Sequence, residues 1–294
     1  MKTKVHAHFG FCLSKKKKQT YKTEGTKMQT NYEIITSRKN ASVLAAAALA
    51  DKKQRDKTGL FAFEGIKLFE DAAREKTDIE KVFVTERAYE KYNGILESSG
   101  VSDKLVFVTE EVYEKLSFES APQGVFTVAR KFSEKEMEFG ENSTVMFLDS
   151  LGDPGNIGTI IRSADAFGVD AVFVGEGSAD IYNPKTVRAC MGSLFRVNVK
   201  VCTDIASDIE NLRSKGFSVY AAMLDRSSEE LLSLSLSGKI GFVIGNEGHG
   251  VSVRTREACT GSVIIPMCEG PESLNAATSA SVLMWEAYRT RIKK

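Results

Sequence analysis

The sequence predicts a two-domain α/β protein whose C-terminal half is built on a parallel sheet covered by helices on both faces. Three observations predict it. Beyond residue 144, apolar runs recur at 145–148, 171–174, 195–199, 217–221, 240–244 and 263–265, with helical segments between most of them. Strands that are apolar throughout belong to sheets buried on both faces. Between 31 and 131 the same alternation occurs on a smaller scale, which is the pattern of a layered α/β unit. Residues 132–143 are charged and poor in large aliphatics, and they form the expected linker. A length of 294 residues suits about two domains.

Taken in order, residues 1–30 carry eight lysines against one acid, Glu24, and show no periodicity. Such a block meets phosphates or stays a solvated, disordered tail. No apolar core and cleavage site follow it, so it does not resemble a signal peptide. Ser37 is a candidate cap for a helix running through residues 44–50 to the charged stretch 51–57. Residues 60–63 form a strand. An amphipathic helix follows, with Ile66, Leu68, Phe69 and Ala72 toward a core. Residues 81–84 and 104–108 are strand-like, each before a helix with acidic residues in its first turn, from Glu86 and from Glu110. Residues 124–128 close this domain. In the second half, Asn183-Pro184 is a helix start with Asn as cap and Pro in the first turn. Thr203 is expected to cap a helix that Gly216 ends. A last helix is expected over residues 273–291.

Composition narrows the chemistry. With 42% hydrophobic and 27% charged residues the chain has globular character. No run of about 18 apolar residues could span a membrane. The cysteines at 12, 190, 202, 259 and 268 show no paired spacing, which argues against a disulfide framework or a zinc site and points to a reducing cytoplasm. No metal is expected. The histidines are 6, 8 and 249, so a Ser-His or Cys-His mechanism would rest on His249 alone.

Three polar clusters remain, all in the second half. The first, Asp153-Pro154-Gly155-Asn156-Ile157-Gly158 through Arg162, follows a strand and opens a helix. Ligands in open α/β sheets sit at such carboxyl ends. Asn156 caps the helix or lines the loop; Arg162 is a surface cation or a ligand contact. The second, Gly245-Asn246-Glu247-Gly248-His249-Gly250, follows the strand at 240–244. It lacks both the phosphate-loop Gly-Lys-Ser/Thr and the GxGxxG dinucleotide pattern. The third joins Ile264-Ile265-Pro266-Met267 to Ser273-Leu274-Asn275 before the final helix. Each alone is a strand, a loop and a capped helix.

Together the clusters closely resemble the three signature motifs of the SpoU (TrmH-type) branch of the SPOUT methyltransferases: Asn-x-Gly-x-x-x-Arg, then aliphatic-Gly-x-Glu-Gly, then Ile-Pro-Met with Ser-Leu-Asn. Order and spacing match. The resemblance covers residues 144–294. Residues 33–130, with Phe63-Glu64-Gly65 and Pro122-Gln123-Gly124-Val125, are similar to the family's small substrate-binding domain, which is related to kink-turn-binding ribosomal proteins.

The resemblance implies an α/β trefoil knot, a homodimer with residues of both subunits at the site, and S-adenosylmethionine as cofactor. Gly245, Ile265, Ser273 and Leu274 match cofactor-contacting positions, and Ala222 is a further candidate. It implies transfer of a methyl group to a ribose 2′-hydroxyl, with Asn156, Arg162, Glu247, Ser273 and Asn275 at the reacting centre. Arginine keeps its proton in proteins. Arg162 is therefore expected to hold the 3′-phosphate bidentately, leaving a phosphate oxygen or Glu247 to accept the proton. Arg188 is expected to contact RNA or the partner subunit. Arg38, Lys39, Lys52, Lys53 and Arg55 are expected to grip RNA from the first helix of the N-terminal domain; a solvated helix face is the plain alternative. The two-domain layout favours ribosomal over transfer RNA. A catalytically inactive RNA-binding factor of the same fold, a base methyltransferase and a dinucleotide-dependent dehydrogenase are the competing readings. The last lacks its glycine fingerprint.

Overall fold

The computed structural model describes residues 15–16, 19–23, 26–30, 32–133, 136–225, 228–269 and 273–292. The chain divides into two compact units, Met1–Arg130 and Lys131–Lys294. The expected disordered tail falls largely outside the described residues. Within it, however, the backbone forms β1 (Lys15–Lys16) and a hairpin of β2 (Gln19–Thr23) and β3 (Thr26–Thr30).

The N-terminal unit continues with β4 (Glu33–Ile35), α1 (Ala41–Ala47), α2 (Lys52–Thr58), β5 (Leu60–Glu64), α3 (Ile66–Arg74), β6 (Ile79–Thr85), α4 (Glu86–Ser98), β7 (Leu105–Val108), α5 (Glu110–Leu116) and β8 (Val125–Arg130). Its sheet runs β1-β4-β7-β6-β8-β5. β4, β7 and β6 are parallel, and the others are antiparallel. The core joins Val43, Leu49, Phe83, Val112, Leu116 and Phe126.

The first helix differs from expectation. Its cap is Asn40, not Ser37: the Asn40 side chain accepts from the amides of Ser42 and Val43. After α1 the chain tightens into a 3-10 turn, Ala48–Ala50, and breaks at Asp51, whose side chain caps α2. The break leaves carbonyls of the turn without helical partners. Arg55 satisfies them. It is 1% exposed, and its Nη1 donates to the carbonyls of Leu49 at 2.7 Å and Ala50 at 2.8 Å. This corrects its assignment as an RNA contact, because the guanidinium is turned inward as a structural clamp. Arg38, Lys39, Lys52 and Lys53 are exposed.

The C-terminal unit contains β9 (Thr144–Leu148), α6 (Pro154–Ala166), β10 (Ala171–Gly175), α7 (Pro184–Cys190), β11 (Val199–Cys202), α8 (Ile205–Ser214), β12 (Ser218–Ala222), β13 (Glu229–Glu230), β14 (Ile240–Ile244), α9 (Val253–Ala258), β15 (Gly261–Ile264) and α10 (Ala276–Ile292). All strands are parallel, in the order β11-β10-β9-β14-β12-β15-β13. Val145 and Phe147 pack with Ile205, Ile209 and Leu212 of α8 and Ala258 of α9. Met146 and Leu148 are equally buried and alternate to the opposite face, where α6 and α10 pack.

Three further local expectations shift. The strand expected at 195–199 is a 3-10 turn, Ser193–Phe195, before β11. Asp204, not Thr203, caps α8. The final helix starts at Ala276, capped by the Asn275 side chain, which accepts from the amides of Ala277 and Thr278. The expected linker is anchored on this unit. Met137 and Phe139 pack on its core, and the Phe132 amide donates to the Tyr182 hydroxyl at 2.9 Å.

Candidate functional site

The site lies where loops leave the carboxyl ends of β9, β12, β14 and β15. Each loop has a local cause. After β9, Asp153 accepts from the Asn156 amide at 2.7 Å and caps α6, with Pro154 in its first turn. Asp153 takes the capping role, so the Asn156 side chain is free for another task. At Gly158, an added Cβ would lie 2.5 Å from the Ala189 Cβ and 2.7 Å from the Thr186 carbonyl oxygen. Only glycine lets α6 approach α7 so closely. After β14, Asn246 and Gly250 exchange two backbone hydrogen bonds of 3.0 and 2.9 Å, closing a tight turn. At Gly245 a Cβ would stand 2.2 Å from both the Gly250 carbonyl carbon and the Val251 nitrogen, so the turn folds back over a bare backbone.

The three clusters meet. Asn275 Nδ2 donates to Asn156 Oδ1 at 3.1 Å, and Asn156 Nδ2 donates to Glu247 Oε1 at 2.9 Å. Glu247 Oε2 accepts from the Gly152 amide at 3.2 Å. Side chains 119 and 91 residues apart in sequence thus form one hydrogen-bonded chain. Partial burial opposes the charge on Glu247. The Asn156 amide, its own backbone and the amides of Gly152 and Asp153 outweigh that, and hold its carboxyl below the ordinary glutamate value. Both oxygens are engaged as acceptors of a carboxylate.

Beside this chain is a cavity of about 560 Å³. Ala222, Gly245, Ile265, Ser273 and Leu274 all line it, together with Glu247 and Asn275. The sequence reading missed other lining residues. Met223 and Leu224 follow β12, Met267 sits in the third cluster, and His249 stands on the 246–250 turn. Leu224 is 60% exposed, an unusual state for a large aliphatic that no sequence pattern announces. Arg162 is not among the lining residues. It is exposed on α6, and among the described residues it has no hydrogen-bond or ion-pair partner. Arg188 is exposed in the last turn of α7. Among the described residues no group of three or more His, Cys, Asp or Glu could hold a metal, and no helix is long and apolar enough to cross a membrane. Cys190, Cys202 and Cys259 are buried free thiols, with burial pushing Cys190 and Cys259 up to about 12.

Comparison with known proteins agrees with this geometry. The model of the SpoU rRNA Methylase family matches residues 143–285, and that of the MRM3-like substrate binding domain matches residues 40–127. The 23S rRNA (guanosine(2553)-2'-O)-methyltransferase RlmP of Bacillus subtilis is 32% identical over 251 residues, which is 85% of this chain and 97% of the relative. The AdoMet-bound rRNA methyltransferase of Sinorhizobium meliloti superposes with a TM-score of 0.77 at 28% identity, covering 87% of this chain and 97% of that one. AviRb of Streptomyces viridochromogenes, a SpoU methyltransferase solved with AdoMet, gives 0.77 at 26% identity, with coverages of 86% and 99%. With its three clusters joined at one cavity and relatives aligned over most of its length, the chain belongs to the SpoU family of RNA methyltransferases.

Proposed function

We propose that the chain methylates a ribose 2′-hydroxyl of ribosomal RNA, using S-adenosylmethionine. One observation carries this reading: Asn156, Glu247 and Asn275, from three separate segments, form a single polar chain at the edge of one cavity. The cavity suits the cofactor. Its volume lies within the ordinary range for small-molecule sites. Leu224, Ile265, Met267 and Leu274 offer apolar surface for an adenosine, while Ser273 and the bare backbone at Gly245 offer polar contacts. Gly245, Ile265, Ser273, Leu274 and Ala222 would hold it. When bound, the cofactor supplies a methyl group already activated by its sulfonium.

The protein's work is then orientation and proton removal. Asn156 and Asn275 fix the ribose side of the site. Glu247 is held as a carboxylate between the Asn156 side chain and the Gly152 amide, and so fixes the Asn156 carboxamide. Either Glu247 or a phosphate oxygen of the RNA takes the proton of the hydroxyl. Arg162, exposed and without a partner among the described residues, suits bidentate binding of the phosphate next to the reacting hydroxyl. Arg38, Lys39, Lys52, Lys53 and Arg188 offer exposed cations to the RNA backbone. The names of the relatives support ribosomal RNA as substrate and, by extension, a cytoplasmic setting. An aromatic patch of Phe167, Trp285 and Tyr288 spans α6 and α10, with Trp285 44% exposed, which supports a homodimer. Ile265, Met267, Ser273 and Leu274 line the same cavity as Gly245, which supports the expected trefoil knot.

The test is to map 2′-O-methyl groups in total RNA from cells with and without this protein. One ribosomal ribose should lose its methyl group in its absence. No change in ribose methylation, or a change on a base, overturns the proposal.

A further inference from the structure

We infer that Asn246 is a positioning residue for methyl transfer: its carboxamide ties the 246–250 turn to the loop after β9, and this sets the Glu247–Asn156 contact. The inference rests on the function proposed above. Every polar atom of that carboxamide is used. Nδ2 donates to the Ser150 carbonyl at 2.8 Å, while Oδ1 accepts from the amides of Gly248 at 2.9 Å and His249 at 3.1 Å. The donor half therefore reaches across to the neighbouring loop, and the acceptor half shapes its own turn.

The tie falls where it matters. Ser150 has φ +57°, a left-handed conformation that a serine adopts at a cost, so the loop after β9 needs external support. Two residues further on, the Gly152 amide donates to Glu247, the residue next to Asn246. Asn246–Ser150 and Glu247–Gly152 are successive rungs between the same two loops. On the far side of the turn a second tie completes the frame: Asp149, 6% exposed, accepts from the Ser252 amide at 2.8 Å through its side chain. Its own amide donates to the Ile244 carbonyl at 2.8 Å. Glu247 itself is exposed, so little packing would hold its carboxylate once the Asn246 rung is cut.

Two variants separate the halves of the carboxamide. Asn246→Ala removes both. Asn246→Asp keeps the acceptor for Gly248 and His249 but sets a charged carboxylate oxygen against the Ser150 carbonyl in place of the donor. We expect kcat to fall at least about tenfold in each, with the calorimetric Kd for S-adenosylmethionine in Asn246→Asp within about threefold of the parent. In a Glu247→Ala background either substitution should cost less than about twofold further, because residues that act through one contact are not additive. The Asn156 side-chain amide resonance, identified by its loss in Asn156→Ala, should move in Asn246→Asp. That signal needs no turnover, so it tests the inference even if the parent methylates no RNA, a result that would overturn the proposed function alone. Full turnover in Asn246→Asp, losses that multiply in the Glu247→Ala background, or an unmoved Asn156 resonance overturns the inference.

Discussion

Replacing Gly245 by alanine should weaken cofactor binding at least about tenfold while leaving most of the fold intact. The magnitude follows from the contacts. The new methyl would stand 2.2 Å from two backbone atoms, the Gly250 carbonyl carbon and the Val251 nitrogen, and 2.4 Å from the Gly250 oxygen. Ordinary contact begins at 3.4 Å, so the turn must retreat by more than an ångström. No side chain can swing aside, because all three atoms are backbone. The strain should cost about 1–3 kcal/mol of stability, as overpacking does elsewhere. The retreating segment lines the cavity and carries Glu247, and a misplacement on the order of 1 Å costs about 100-fold in turnover. The Kd for S-adenosylmethionine should rise at least about tenfold, equivalent to ~1.4 kcal/mol. Titration calorimetry with the cofactor, alongside a thermal melt, makes the measurement. Gly140→Ala is the control: its added methyl meets nothing within 4 Å, and its φ is not positive. Parental cofactor affinity in Gly245→Ala would refute the reasoning, because the turn would then not form the wall of the site.

Other outcomes follow from the same geometry. Arg162→Lys should lower turnover by about three orders of magnitude, with cofactor affinity within about threefold, since lysine cannot replace a bidentate fork; near-parental single-turnover rates would count against a phosphate-holding arginine. Glu247 has a depressed pKa, so its carboxylate form, and the support it lends the site, is lost only as pH falls through a value below the ordinary glutamate range. The kcat profile between about pH 5 and 8 should therefore show no Glu247 limb, and a limb there that vanishes in Glu247→Gln would contradict this. Arg55→Ala should destabilise the N-terminal unit by about 2–4 kcal/mol, because two carbonyls lose a charged donor; an unchanged melt disproves the clamp. Lys53→Ala should instead leave the melt alone and reduce the salt dependence of RNA binding, read by filter binding at several salt concentrations.

The sequence made the sheet legible because its strands are apolar on both faces. The run 240–244 became β14 residue for residue, and Asn183-Pro184 opened α7 as the cap chemistry requires. The expected cofactor positions, Gly245, Ile265 and Leu274, share one cavity. Local detail was harder. A helix drawn from Ser37 to residue 57 hides its break at Asp51, since both halves have helical composition and the Arg55 contacts that close the turn are not written in the local pattern. Arg55 was placed in solvent because a lone arginine between lysines carries no sign of burial. Asn156 offered a cap reading, but Asp153 three residues earlier took that role and released it to the site. Partners 91 and 119 residues distant leave no local trace, so the link between Asn156, Glu247 and Asn275 is a property of the folded chain alone.

The pairing of Thr144 with Ile240 has a consequence for biosynthesis. As the polypeptide emerges, β9 acquires β10 early, yet its other edge must wait until β14 has been made. For that interval an apolar strand edge is uncovered, a place where chaperones or stray partners bind. Asn275 leaves the ribosome later still, so a nascent chain can complete much of its sheet before it holds a finished centre.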